Sequence, residues 1–333
     1  TYTYNDEGDT LTDQTERYLS NTWQYQNKYT YTYDQAGNKL TELRETLQSG
    51  TLKPYTKYTY TYDPVGNMLT QLYETLQSGV LTPYSRTTYE YDSNSQLRTL
   101  SEQELFKNGS WELNNRYVYK YDENGNKLFE SYEDFTLTGG SDFFSRRYTY
   151  VYNDSNKLLV ELRETRQSNK LDSSTRYTYT YDENNNRLSY LTELYNAGWR
   201  NMNQYLYTYD ENNNELSYLY QAWKAGKWDT SYAVFYTYDE NSHQLSYTDA
   251  SYDSGTGTWI INERFSYTYD EYGRNISFQE EYNFDASGVS SDISLNTYTY
   301  DENDNIITYL SEGFYNNVRT FSSYSTYTYD ANN

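Results

Sequence analysis

The hexapeptide YTYTYD stands at Tyr29–Asp34, Tyr58–Asp63 and Tyr177–Asp182, and FSYTYD follows at Phe265–Asp270. Aligned on its closing residue, the chain falls into steps at Asn5, Asp34, Asp63, Asp92, Asp122, Asn153, Asp182, Asp210, Asp239, Asp270, Asp301 and Asp330. The steps are 28 to 31 residues, so the 333 residues hold eleven copies of one unit. Lys28–Thr56 and Lys57–Ser85 are identical at 21 of 29 positions. A period of this kind constrains the fold more than composition does, because each copy packs on its neighbours rather than around a private core. The expectation is one continuous array over residues 1–333. Its ends, TYTYN and TYTYDANN, share a phase and read as a window on a longer array.

Two turn signals divide each unit. Three residues after the closing Asp or Asn stand Gly8, Gly37, Gly66, Ser95, Gly125, Asn156, Asn185, Asn213, Ser242, Gly273, Asp304 and Asn333. Most are Gly, Asn or Asp, the residues that accept positive φ, so the Asp is explained by a type I turn closed by a left-handed residue. The second signal lies mid-unit, as at Ser20–Asn21, Ser49–Gly50, Ser78–Gly79, Asn108–Gly109, Gly139–Gly140, Ser168–Asn169, Ala197–Gly198, Ala225–Gly226, Ser254–Gly255, Ser287–Gly288 and Asn316–Asn317.

The segment entering the Tyr motif alternates as a strand. Trp111, Leu113, Asn115, Tyr117, Tyr119 and Tyr121 take one face at period two. Trp23 and Trp259 begin the same pattern, which puts Trp23, Trp111, Trp228 and Trp259 on the tyrosine face, with Trp199 close to it. The other segment is less decided. In KLTELRETLQSG, Leu40, Leu43 and Leu47 fit a short helix capped by Gly50, whereas Leu216, Tyr218 and Tyr220 alternate as a strand. Strand is favoured, with apolar residues on both faces pointing to a bulge or a two-sided cover. The fold class expected is all-β: a tandem array of β-hairpins, about 22 antiparallel strands, coiled into a superhelical or tube-like form with tyrosines inward or under a second layer. Neighbouring tyrosines would form aromatic ladders across strands.

Composition narrows the partners. Forty-eight acidic residues against 26 basic ones give a net charge of −22, which argues against nucleic acid and anionic membranes. Mean hydropathy is −1.09, but 48 tyrosines supply apolar area and argue against disorder. The absence of Cys excludes disulfides and thiolate chemistry. No apolar run reaches the length of a membrane span, and no signal peptide is visible.

The motif YTYDxxGN followed by an aliphatic residue, as at Leu40, Leu69, Leu128, Leu188 or Ile276, resembles the YD (RHS-type) repeats of large secreted bacterial proteins and the Tyr/Asp-rich hairpin arrays of Gram-negative surface proteins. The resemblance covers the whole chain. It implies spiralled β-sheet shells or extended surface structures. The period here is longer and more regular, and no toxin, protease or plug segment is visible.

No catalytic, cofactor or metal residue is assigned. His243, the single histidine, occupies a turn slot held elsewhere by Asn38, Asn67, Asn126, Asn186 and Asn214. The carboxylate pairs Glu42/Glu45, Glu130/Glu133 and Glu161/Glu164 recur at one strand position, as a solvated face would and a unique active site would not. Turns such as Asp122–Asn126 begin like a calcium loop but lack the closing Glu. The expected role is an extracellular structural array (surface fibre, stalk or adhesin) without enzymatic activity, with neighbouring copies or surface glycans as partners. The alternatives are a carbohydrate-binding module, suggested by the tryptophans, and a YD-type shell around a C-terminal toxin.

Overall fold

The computed structural model describes residues 1–19, 22–135, 144–167, 170–285 and 287–329. The expected turns at Ser20–Asn21, Gly139–Gly140 and Ser168–Asn169, and the closing residues Asp330 and Asn333, lie outside the described residues, as does the side chain of Trp23. Contacts divide the chain into two compact units, Thr1–Ser174 and Thr175–Asn333.

The first unit holds β1 (Tyr2–Tyr4), β2 (Thr10–Leu19), β3 (Thr22–Tyr33), β4 (Lys39–Gln48), β5 (Thr51–Tyr62), β6 (Met68–Gln77), β7 (Val80–Tyr91), β8 (Arg98–Lys107), β9 (Ser110–Tyr121), β10 (Lys127–Asp134), β11 (Phe144–Tyr152) and β12 (Leu158–Gln167). The second opens within β13 (Lys170–Tyr181) and continues through β14 (Arg187–Tyr195), β15 (Trp199–Tyr209), β16 (Glu215–Lys224), β17 (Lys227–Tyr238), β18 (Gln244–Asp253), β19 (Thr258–Tyr269), β20 (Asn275–Phe284), β21 (Ser290–Tyr300), β22 (Ile306–Tyr315) and β23 (Val318–Thr326). In each unit, consecutive strands pair antiparallel as an uninterrupted meander. The protein is therefore an all-β array of hairpins. No helix among the described residues is long and apolar enough to cross a membrane.

The helical alternative for Lys39–Gln48 is settled as strand. On β4, Thr32 faces Thr41 while Tyr33 faces Lys39, so Leu40 is an extra, bulged residue. Leu43 and Leu47 then alternate normally, and a strand with one bulge mimics the 3,4 spacing of a helix. The same register shift makes Leu69, Leu128, Leu188 and Ile276 bulge residues. The aliphatic residue after each turn is thus explained by local geometry.

A second bulge falls in the strand that enters the Tyr motif. Gln103 faces Asn115 but Glu104 faces Leu113, leaving Asn114 unmatched. Tyr55, Tyr84, Met202, Ser231 and Asn262 are skipped in the same way. Each such bulge reverses the phase of the side chains before it, which corrects the expected placement of tryptophan. Trp111, Trp199, Trp228 and Trp259 lie on the face opposite the tyrosines, because period-two counting from Tyr117 or its equivalents fails across the bulge.

The turns follow the sequence closely. Asp34 N–H donates to Asn38 O (2.9 Å) and Gly37 N–H to Asp34 O (3.2 Å), while Asp34 Oδ1 accepts from the backbone of Ala36 and Asn38. Gly37, Gly66, Gly125, Asn156, Asn185, Asn213, Ser242, Gly273 and Asp304 have positive φ, as expected. Two positions differ. The Asp92 turn is one residue longer, closing onto Leu97 O, so Gln96 (φ 57) takes the left-handed place assigned to Ser95. At Ser254–Gly255 the turn is wider, and Gly257 is the residue with positive φ (75). Most mid-unit turns are two-residue hairpin loops with both residues at positive φ, such as Ser49–Gly50 and Asn316–Asn317, matching strand twist.

Two ties recur between neighbouring units. The tyrosine before the closing acid donates its hydroxyl to the first strand residue after the previous turn: Tyr33 to Thr10 O (2.9 Å), Tyr62 to Lys39 O (2.8 Å), Tyr91 to Met68 O (3.0 Å), and likewise Tyr209, Tyr238, Tyr269, Tyr300 and Tyr329. The second tie links turns: Asn67 donates to Gln96 (2.6 Å), Asn126 to Asn156 (2.8 Å), Asn186 to Asn213 (2.7 Å) and Asn214 to Ser242 (2.9 Å). Replacing Tyr62 by Phe removes one such hydroxyl and leaves the Lys39 carbonyl without it. The expected cost is about 1 kcal/mol, read from urea unfolding; an unchanged midpoint would show the tie to be idle.

Among the described residues no second layer covers the tyrosines. Apart from β3 with β5 and β5 with β7, close approaches run between ladder neighbours, and Ala233, Val234 and Ala250 are the buried apolar residues among those described. Tyrosine rings shelter one another instead. In the second unit they run on across strands, Tyr190 to Tyr205 at 5.8 Å and Tyr205 to Tyr220 at 5.1 Å. In the first unit the intervening strands often supply a cation, as with Lys39 over Tyr31 (4.7 Å) and Arg98 over Tyr89 (5.5 Å) and Tyr119 (5.4 Å).

Candidate functional site

The face opposite the tyrosines is built in three bands. Nearest the Asp turns, hydroxyls pair across most hairpins, as in Thr32 with Thr41 (2.7 Å), Thr61 with Thr70 (2.6 Å) and Thr237 with Ser246 (2.7 Å). Next comes a row of ion pairs, Lys28–Glu45, Lys57–Glu74, Arg86–Glu104, Arg116–Glu133, Arg147–Glu164, Arg176–Glu193 and Arg264–Glu281, at 2.5 to 4.0 Å. Beyond the bulge lies an apolar band of cross-strand pairs: Leu47 with Leu52, Leu76 with Leu81, Phe106 with Trp111, Tyr195 with Trp199, Trp223 with Trp228 and Tyr252 with Trp259.

This arrangement separates the carboxylate pairs seen in the sequence. Glu42 stands opposite Tyr31 on the tyrosine face, while Glu45 stands opposite Lys28 on the other. Glu161 is buried and accepts from Arg163 Nε at 2.5 Å; Glu164 pairs with Arg147 on the far face. Residues three apart on a strand point to opposite sides, so no two of these carboxyls flank a common substrate. The Glu161 burial differs from the solvated face expected.

The Asp turns are spent on their own donors. Asp63 Oδ1 accepts from the Val65 and Asn67 backbone (3.0 and 2.8 Å) and Oδ2 from the Asn67 amide (2.9 Å). That amide bond, before the backbone donors, holds the Asp63 carboxyl below its ordinary value. Asp34, Asp122 and Asp210 are lowered for the same reason. Among the described residues no three His, Asp or Glu side chains gather as a metal would require.

His243 copies the asparagine it replaces. Its backbone N–H donates to Asp239 Oδ1 (2.8 Å), Nδ1 meets Asp239 Oδ2 (2.9 Å), and the ring stacks on Tyr269 at 4.8 Å. Gly273 belongs here for space as well as backbone: a Cβ on it would sit 2.9 Å from His243 Nε2. A shallow depression of about 620 Å³ adjoins His243, Asp270 and Glu271.

Three places on the ion-pair face depart from the pattern. β15 and β16 set Gln204 against Gln221 (2.6 Å), β21 and β22 set Leu295 against Glu312, and β17 and β18 set Ala233 against Ala250, which are 0% and 1% exposed. Beside them lies a cleft of about 560 Å³ lined by Leu219, Trp228, Thr230, Phe235, Tyr252 and Trp259, among others. Trp259 on β19 reaches across β18 to meet Phe235 on β17 edge-on at 5.7 Å, over the small Ala250. The sequence reading named the tryptophans but missed both alanines, Leu219 and Phe235. The signal was available: six residues before the closing acid the units read Lys28, Lys57, Arg86, Arg116, Arg147, Arg176, Gln204, Ala233, Arg264, Leu295.

These features define a class, a Tyr/Asp-rich hairpin repeat array with one interrupted ion-pair row. No protein-family profile matches the chain, and no curated protein matches it in sequence. Among solved structures it is similar to TcdB2-TccC3-TEV (TM-score 0.36, 13% identity), covering 98% of this chain and 20% of that one. It is also similar to TcdB2-TccC3 (TM-score 0.30, 10% identity, 98% and 24% covered) and to a DUF3836 family protein from Bacteroides vulgatus (TM-score 0.20, 12% identity, 36% and 97% covered). The chain spans a fifth to a quarter of the length of the TcdB2-TccC3 chains. The fold class rests on the ladder of strands described above.

Proposed function

We propose that the protein is a structural, non-catalytic repeat array of the YD type, serving outside the cell as a spacer, stalk or adhesin shaft. One observation supports this most: the same two ties, tyrosine hydroxyl to carbonyl and turn amide to turn, recur at successive units in both halves of the chain. A linkage that repeats without a unique constellation suits length and stiffness, since units can be added or lost without touching a centre of chemistry. The acidic surface and the YD-like motif fit an exported protein. Excising Lys57–Ser85, a near-copy of the preceding unit, should leave a folded protein with strand content per residue unchanged by circular dichroism. Particles in electron micrographs should shorten by one unit in eleven. Global unfolding of the excised chain would sink the modular reading, and failure of surface-added protease or antibody to reach the native protein would sink the extracellular one.

A further inference from the structure

The ion-pair row covers two of the indoles in the apolar band. Arg86 lies over Trp111 at 4.8 Å and Arg176 over Trp199 at 4.5 Å, so in those units the guanidinium that pairs with Glu also occupies the indole face. Arg264 covers Phe284 in the same manner, at 5.1 Å. At β17–β18 the pair is replaced by Ala233 and Ala250, so no guanidinium from that position reaches a ring. Trp259 is 36% exposed and Phe235 equally so. Aromatic surface beside the buried alanines is therefore left open.

The rim is polar and already ordered. Thr230 shares the face of Trp228, and its Oγ1 accepts from Gln221 Nε2 (2.8 Å). Thr230 retains its hydroxyl hydrogen, and Ser254 adds a second hydroxyl to the lining, so donors flank the rings. Aromatic walls with hydroxyl groups at the edge match a molecule that has C–H faces and an equatorial ring of hydroxyls. The net charge of −22 disfavours uronate or sulfated versions of it.

We propose that the cleft between β17 and β19 binds a pyranose ring of a neutral glycan, with Trp259 and Trp228 as the stacking surfaces and Thr230 and Ser254 as hydrogen-bonding groups. This goes beyond the spacer role and does not depend on it: the array would hold one specific contact point.

The test is a titration of the full chain, read by tryptophan fluorescence and calorimetry, against neutral cello-, malto-, manno- and xylo-hexaoses together with hyaluronate and heparin. At least one neutral oligosaccharide is expected to bind with Kd at or below ~1 mM. Trp259→Ala should weaken it at least tenfold. Since that change could disturb β19, the second variant is Thr230→Val, a strand-compatible change of nearly the same shape at a half-buried site that removes only the hydroxyl. It should weaken binding at least fivefold, whereas Trp111→Ala, at a ring already covered by Arg86, should leave Kd unchanged. No binding by any neutral sugar, binding only by the anionic polymers, or full affinity in both the Trp259→Ala and Thr230→Val chains would each overturn the assignment.

Discussion

Raising the pH from 10 to 12 is expected to unfold the array in one cooperative step. The central tyrosine of the motif is the reason. Burial, helped by a nearby carboxylate, pushes the Tyr31, Tyr60, Tyr150 and Tyr236 phenols from 10.0 up to about 12, with Glu42, Glu161 or Glu215 the principal charge in each case. The sign follows directly. Folded phenols stay protonated where unfolded ones ionise, so their contribution to stability is full below pH 10 and is lost as pH rises through about 12. Tyr232 shifts in the same direction, through burial and then its bond to Asp249. Because each unit sheds its sheltered phenols together and the chain already bears −22, repulsion compounds the loss. Phenolate absorbance and far-UV circular dichroism should change together. Smooth titration near pH 10 with an unaltered dichroism signal would refute the account.

The second large effect is expected at Val234, the one large side chain that is fully buried among those described. It stands on the tyrosine face between Tyr218 and Asp249. Asp249 already accepts from Tyr232 (2.7 Å) and Asn262 (2.7 Å). Val234→Asp buries a second carboxylate beside it with no cation opposite, a change of the kind that costs about 3–5 kcal/mol. The matched control is Val318→Asp, where the side chain is 65% exposed and the expected change is within about 0.5 kcal/mol. Urea unfolding measures both. Hydrogen exchange should show protection lost first in β16 to β18, because each strand leans only on its neighbours. A loss under about 1 kcal/mol at Val234 would mean that burial at this point contributes little.

Much of this fold was legible in the residues themselves. The Asp-to-Gly or Asp-to-Asn spacing defined the turns because only a few residue types tolerate the backbone they require, and Gly37, Asn185 and Asp304 adopt it. The face assignment of tryptophan was not legible. Alternation is a parity count, and one unmatched residue such as Asn114 inverts everything beyond it, although nothing in that residue type announces a bulge. Ala233 and Ala250 were overlooked for a different reason. Alanine in a strand has no chemistry of its own, and its meaning emerges only against the Arg and Glu that occupy the same positions in other units.

The tyrosine hydroxyl tie has a direction. Its donor always lies 22 to 25 residues later in the chain than its acceptor, as Tyr62 does relative to Lys39 and Tyr300 relative to Asn275. A unit leaving a ribosome therefore finds its acceptor already synthesised, and waits for nothing downstream to fasten itself. Sequence separations this short favour rapid folding. Growth by such a catch works like a zipper drawn from the amino end, in which each new unit is held by the one before it, and fraying must first undo a closed tooth.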